Sequence, residues 1–312
     1  MDFNYIKNSK IINDKPSYSL DLSEIEKCYN GRVILNITNT NYSLKEECQN
    51  VLQNVSLFLG ECNAVMLQLK KSMPNEVNII NNKPLGLQRV VLMLYQKLEI
   101  KIEELLLLLN NGYCEGSFLQ YRCILETIAI ALFLYHKFDT DQQIVERFVE
   151  YGNIEKYHKN NHIHLSEQLY SLENNIIKDS DLSIKVDELK SKFGDHFVDR
   201  KTFGWCDNNK KERYSMDVQE GKKSILEEVG LLGFYPMYIK SSQEVHLSTL
   251  SIFEAENYRI HDIKNYYPVL ISSVHHLWQA TSLLLLLQEA NKHQFQKLEY
   301  VKDRILDLIA KK

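Results

Sequence analysis

Over residues 43–72 apolar positions recur every three or four places. Leu44, Val51, Val55, Phe58, Cys62, Val65 and Leu69 form a single stripe, the spacing of an amphipathic helix. Ser43, with Glu46 three residues on, is a capping-box start. The same period, richer in leucine, predicts a second helix over about 85–110 and, after Gly112 and Gly116, a third over about 116–138. A fourth is expected from Asp141 to His158. The chain then turns polar. "HLSEQLYSLEN" and "SDLSIKVDELKSKFG" read as separate short helices, followed by a long loop over 199–223. "SILEEV" reads as a helix opened by Ser224 and closed at Gly230. Another helix follows Pro236 to about 257, and two more, near 265–291 and 293–311, complete the pattern.

Residues 1–40 break this period. "SYSLDL" and "RVILNITNT" alternate or are β-branched around an Asn-Gly turn at 30–31, which predicts a strand-prone arm, a hairpin in its simplest form. The expected fold is therefore all-α: a multi-helix bundle over 41–312 with a polar insertion around 161–225, preceded by a small strand-prone arm over 1–40.

Composition narrows the function classes. The chain has 312 residues, 44% hydrophobic and 25% charged, with a formal charge of -4. That balance argues against a general electrostatic grip on nucleic acid or on an anionic membrane. The greasy runs "ELLLLLN" and "SLLLLLQEA" fall short of the about 20 apolar residues of a membrane span, so no membrane association is expected. "MDFNYIKNSK" lacks the apolar centre of an export signal. None of the six cysteines forms a CxxC pair, and the simplest setting is a cytoplasm with reduced thiols.

Chemistry is suggested by polar residues set into apolar stripes. On the helix after Pro236, Tyr235, Ile239, Ser242, His246, Leu250 and Phe253 share a face. A buried imidazole needs partners for both ring nitrogens. Helix three holds Arg122 and Glu126 four apart in the most apolar stretch of the chain, and helix four holds Arg147 and Tyr151 at the same spacing. Charged groups in such places are paired or line a cleft. Gathered together, Arg122, Glu126, Arg147, Tyr151, Ser242 and His246 would form a polar pocket; the bland alternative is an ion-pair network that fixes helix register.

The segments "YRCILETIAIALFLYHKF", "ERFVEYGNIEKYHK" and "ILEEVGLLGFYPMYIKSSQEVHLS" carry Arg-x-x-x-Glu, then Arg-x-x-x-Tyr, then Tyr-x-x-x-Ser-x-x-x-His. In that order they resemble a bacterial family catalogued as domain of unknown function 5677, over roughly residues 85–290. The resemblance implies an all-helical fold and that Arg122, Glu126, Arg147, Tyr151, Tyr238, Ser242 and His246 act as a unit. It implies no particular activity.

Two function classes follow. The first is a bacterial nuclease-like effector acting on RNA, in phage defence or a toxin system. His246 would be the general acid/base, Arg122 and Arg147 the phosphate binders and Glu126 the orienting carboxylate, with Tyr151, Ser242 and Tyr238 lining the site. Such bundles resemble the nucleases of the HEPN group, whose motif is an arginine, four to six residues, then a histidine. Here Arg259 precedes His261 by two residues, Arg147 precedes His158 by eleven and Arg122 precedes His136 by fourteen, so that motif is missing. The second class is a non-enzymatic sensor whose pocket holds a small anion, a nucleotide or a partner protein. A homo-oligomer is compatible with either. Glu155-x-x-His158 has di-iron spacing but occurs once, where such bundles need two copies, and no metal is expected. No phosphate loop, dinucleotide fingerprint, nucleophile elbow or His-Glu-x-x-His occurs, and no cofactor is expected. The basic loop 199–223, with Phe203, Trp205 and Tyr214 interleaved, is a candidate for stacking nucleic-acid bases.

Overall fold

The computed structural model describes residues 46–72, 86–111, 113, 116–170, 179–199, 203–206, 218–245, 266–287 and 292–310. The expected arm at 1–40, the Ser43 cap and His246 lie outside them. The described residues are helical, with no strand among them. The α-helices are α1 (Glu46–Ser72), α2 (Leu87–Asn110), α3 (Gly116–Phe138), α4 (Ile144–Tyr170), α5 (Asp179–Phe193), α6 (Asp195–Asp199), α7 (Val218–Glu228), α8 (Tyr235–Val245), α9 (Tyr267–Leu287) and α10 (Lys292–Ala310). A 3-10 turn, Leu232–Phe234, leads into α8. The protein is all-α, as its periodicity requires.

Two compact units emerge. The first takes residues 88–132 and 230–312 together with α1. Its centre is α9, buried on nearly every side from Tyr267 to Leu285. A helix that is apolar all round must be enclosed by others. Accordingly α1 and α10 both pack on α9 and on each other. The stripe read from the sequence is the buried face of α1: Val51, Val55, Phe58, Cys62 and Val65. Gln88 at the start of α2 donates its side-chain amide to the Leu287 carbonyl at 3.0 Å, a group that the end of α9 leaves without a helical partner. By length and composition α3 and α9 are each apolar enough to cross a membrane, which the shorter runs taken alone did not suggest. In this structure 61% and 83% of those apolar windows are buried in protein.

The second unit spans residues 133–229 with a short piece at 78–87, and so includes the polar segment 161–225. Here α4 packs on α5, and α5 on α6. Two sequence expectations change. First, α4 does not end at His158 but runs to Tyr170, because no proline or glycine interrupts "HKNNHIHLSEQLY" and polarity alone does not stop a helix. Second, α7 begins at Val218 rather than at Ser224. Gly221 lies one turn before Ile225 on the buried face, extending the stripe backwards into what reads as loop. Gly194 and Gly230 follow α5 and α7 with φ of 92° and 73°. Both are left-handed C-caps, a conformation open to glycine at no steric cost.

Candidate functional site

In the first unit α3 and α8 bring three of the sequence-selected residues together. The i, i+4 spacing sets Arg122 Nε 3.2 Å from Glu126 Oε1. The same oxygen accepts a hydrogen bond from the Tyr238 hydroxyl on α8 at 3.0 Å. Arg122 Cζ lies 5.2 Å from the centre of the Tyr238 ring, within cation–π range. Tyr238 itself is 2% exposed and stacks on Tyr235, the ring planes 11° apart. A buried aromatic thus anchors a carboxylate, and the carboxylate orients a guanidinium. Burial would lower the Arg122 pKa, but the interactions with Glu126 and Tyr238 outweigh it and hold the group above its usual value.

This trio is not sealed. The side chains of Arg122 and Glu126 are 20% and 32% exposed. The guanidinium gives Nε to Glu126, and no other carboxylate among the described residues pairs with Arg122. Nearby on α8, Lys240 places its ammonium 5.1 Å from the Phe118 ring of α3. Ser242 is buried one turn beyond Tyr238. The neighbouring Ser241 donates to the Met237 carbonyl at 2.8 Å, which satisfies its hydroxyl within the helix.

Arg147 and Tyr151 belong to the second unit, and their surroundings there are explicit. Arg147 is 1% exposed, and its fork grips Asp141, with Nη1 3.2 Å from Oδ1 and Nη2 on Oδ2. Its Nε donates to the Trp205 carbonyl at 3.1 Å. Trp205 is held edge-on by Phe133 and Phe148, with centroids 5.7 and 4.9 Å away. The loop carrying it includes Phe203 at φ 57°, a left-handed backbone unusual for an aromatic residue. Arg147 therefore ties the α3–α4 corner to the loop around Trp205, the kind of buried pair that specifies a local conformation. Tyr151, also buried, meets Phe197 of α6 edge-on at 5.5 Å. Trp205, which reads from sequence as a base-stacking candidate, is 4% exposed and serves packing.

Sequence reasoning missed Asp141. Its signal was a carboxylate three residues ahead of α4, six before Arg147, in reach of a side chain that turns back along the helix. His276 on α9 is completely buried: it is 0% exposed, with Nδ1 3.0 Å from Gln279 Oε1 and Phe234 edge-on at 4.6 Å. Its Nε2 has no hydrogen-bond partner among the described residues, and Tyr121 lies beside it with ring centroids 6.0 Å apart. Burial, partly offset by the Gln279 bond, pushes its pKa down to about 4. In the second unit His158 Nε2 lies 3.0 Å from the Val198 carbonyl, so that nitrogen is committed to the backbone. Among the described residues no group of three or more His, Cys, Asp or Glu is disposed to hold a metal ion.

The model of the family described as "Family of unknown function (DUF5677)" matches residues 88–265, and the chain belongs to that family. No curated protein and no solved structure matches it.

Proposed function

We propose that this member of DUF5677 recognises a phosphate-bearing ligand, RNA in the first instance, through Arg122. One observation carries the reading: Glu126 and Tyr238 fix the guanidinium from one side while no second carboxylate among the described residues pairs with it. A planar fork oriented in this way suits bidentate binding of a phosphate oxygen pair. Tyr235, part-exposed and stacked on the buried Tyr238, supplies aromatic surface, and Lys240 a second cation, on α8. The formal charge of -4 argues for local recognition rather than a basic groove.

Cleavage is the second part of the proposal. His246, one turn beyond Ser242 in sequence register, is the general acid/base of a nuclease-like effector acting in a bacterial cytoplasm, in phage defence or a toxin system. Only that register supports the assignment, since His246 lies outside the described residues. The test incubates the full chain with total RNA, tRNA and single-stranded DNA, with and without divalent metal. Arg122→Lys and His246→Ala run alongside, their folding checked by circular dichroism. Cleavage that both substitutions abolish supports the whole proposal. RNA binding that Arg122→Lys weakens, without cleavage by any chain, supports recognition and removes the nuclease role. No binding and no cleavage refutes both.

A further inference from the structure

Tyr121, the residue before Arg122 on α3, is wholly buried, as are Ser272 and His276 on α9 to within 6%. The four-residue step from Ser272 to His276 puts both on one face of α9, with β-carbons about 5–6 Å apart. Tyr121 meets both: its ring centroid is 6.0 Å from that of His276, and Ser272 is the hydroxyl that acts on its own. Each of the three is poorly satisfied among the described residues. His276 Nδ1 lies 3.0 Å from Gln279 Oε1, and an amide oxygen only accepts, so Nδ1 carries the ring proton and Nε2 presents a bare lone pair. None of the described residues donates to that nitrogen, and none completes a hydrogen bond with the Tyr121 hydroxyl. Ser272 sends its hydroxyl to the Met237 sulfur of α8 at 3.5 Å, a weak acceptor. Its neighbours on α9 behave differently: Ser273 and Thr281 return their hydroxyls to carbonyls of their own helix, each at 2.8 Å.

We propose that Tyr121 Oη, Ser272 Oγ and His276 Nε2 together hold one internal water molecule between α3 and α9. The three groups are complementary to it. Two hydroxyl protons without a good acceptor stand beside one acceptor without a donor, and a water accepts from the first two while donating to the third. Three hydrogen bonds, about the usual number for a buried water, then close the set. Hydrogen bonds of about 2.8 Å let one water bridge polar atoms about 5 Å apart, the scale of the step from Ser272 to His276. A direct bond from Tyr121 to His276 would leave Ser272 on sulfur, whereas the water satisfies all three. With both its lone pairs taken, the water donates to Nε2 but does not accept from it, and so favours the neutral imidazole. The site joins α9 to the helix that carries Arg122, and it does not depend on what Arg122 binds.

Relaxation dispersion of the water oxygen in solutions of the full chain, which counts slowly exchanging internal waters, provides the test. Tyr121→Phe with Ser272→Ala removes both donors and should lower the count by one. Ser273→Ala, which removes a hydroxyl already satisfied within the helix, should leave it unchanged. Nitrogen-15 spectra of the wild-type imidazoles need no variant: His276 should be the Nδ1–H tautomer, with an Nε2 shift that reports an accepted hydrogen bond. An unchanged count in the folded double variant overturns the proposal. So does an Nε2–H tautomer, or an Nε2 that accepts no hydrogen bond. An Nε2 that loses its hydrogen bond in Tyr121→Phe alone, at an unchanged water count, would replace the water with a direct Tyr121–His276 bond.

Discussion

Replacing His276 with phenylalanine should flatten the dependence of stability on pH between 6.5 and 4. The imidazole is 0% exposed, and burial drives its pKa from an ordinary 6.5 to about 4. The unfolded chain takes up a proton on this residue below pH 6.5, whereas the folded chain resists doing so until about pH 4. Its contribution is thus fully present above pH 6.5, drains as the pH falls through this window, and is exhausted below about pH 4. At about 1.4 kcal/mol for each tenfold change in proton activity, the loss is about 3 kcal/mol. Among the described residues Nε2 has no hydrogen-bond partner, which is consistent with that figure, since none of them offers an acceptor to the added proton. His275, half-buried beside it, is lowered by burial and by Lys302, and it remains in both chains along with every carboxylate. The assay is urea unfolding of wild type and His276→Phe at half-unit steps from pH 7.5 to 4. Only the difference in slope matters, so a constant repacking cost of the larger ring cancels. The two free-energy curves should diverge by about 3 kcal/mol, with the wild type losing more. Parallel curves would refute the reasoning.

Asp141→Ala should cost about 3–5 kcal/mol, because it takes away the carboxylate that the fork of the buried Arg147 guanidinium grips. Arg147→Met should cost less, since the Asp141 side chain is 21% exposed and reaches water, and the double substitution should recover part of the Asp141→Ala loss in a chemical-denaturation cycle. Gly230→Ala should destabilise by about 1 kcal/mol through backbone strain, since nothing among the described residues lies within 4 Å of the added Cβ. Gly194→Ala should cost more in the same assay, because its Cβ would meet the His196 ring at 3.0 Å. The Cys62 thiol, fully buried and pushed up by burial, should resist a maleimide reagent in native protein and react once urea unfolds it.

Much of this architecture was legible because periodicity encodes burial. The stripe of α1 and the limits of α3 follow directly from the spacing of their apolar side chains. The extension of α4 was not legible, since the polar stretch after His158 offers neither a stop signal nor a stripe. The Arg122–Glu126 pair could be read from its four-residue spacing, and the structure adds Tyr238 as a common partner. The surroundings of Arg147 could not. Its partners include a carboxylate before the helix and a backbone carbonyl 58 residues away, and spacing rules do not report loop carbonyls.

The central claim is that Arg122 is an oriented phosphate receptor. Titration of the full chain with a short 5′-phosphorylated RNA, followed by calorimetry, tests it most directly. Arg122→Ala should weaken binding by roughly ten- to a hundredfold, as expected for losing a charge-assisted hydrogen-bond pair worth about 1.5–3 kcal/mol. Tyr238→Phe, which keeps the ring but removes the hydroxyl that holds Glu126, should weaken it by a smaller factor. Wild-type affinity in a folded Arg122→Ala chain would contradict the account.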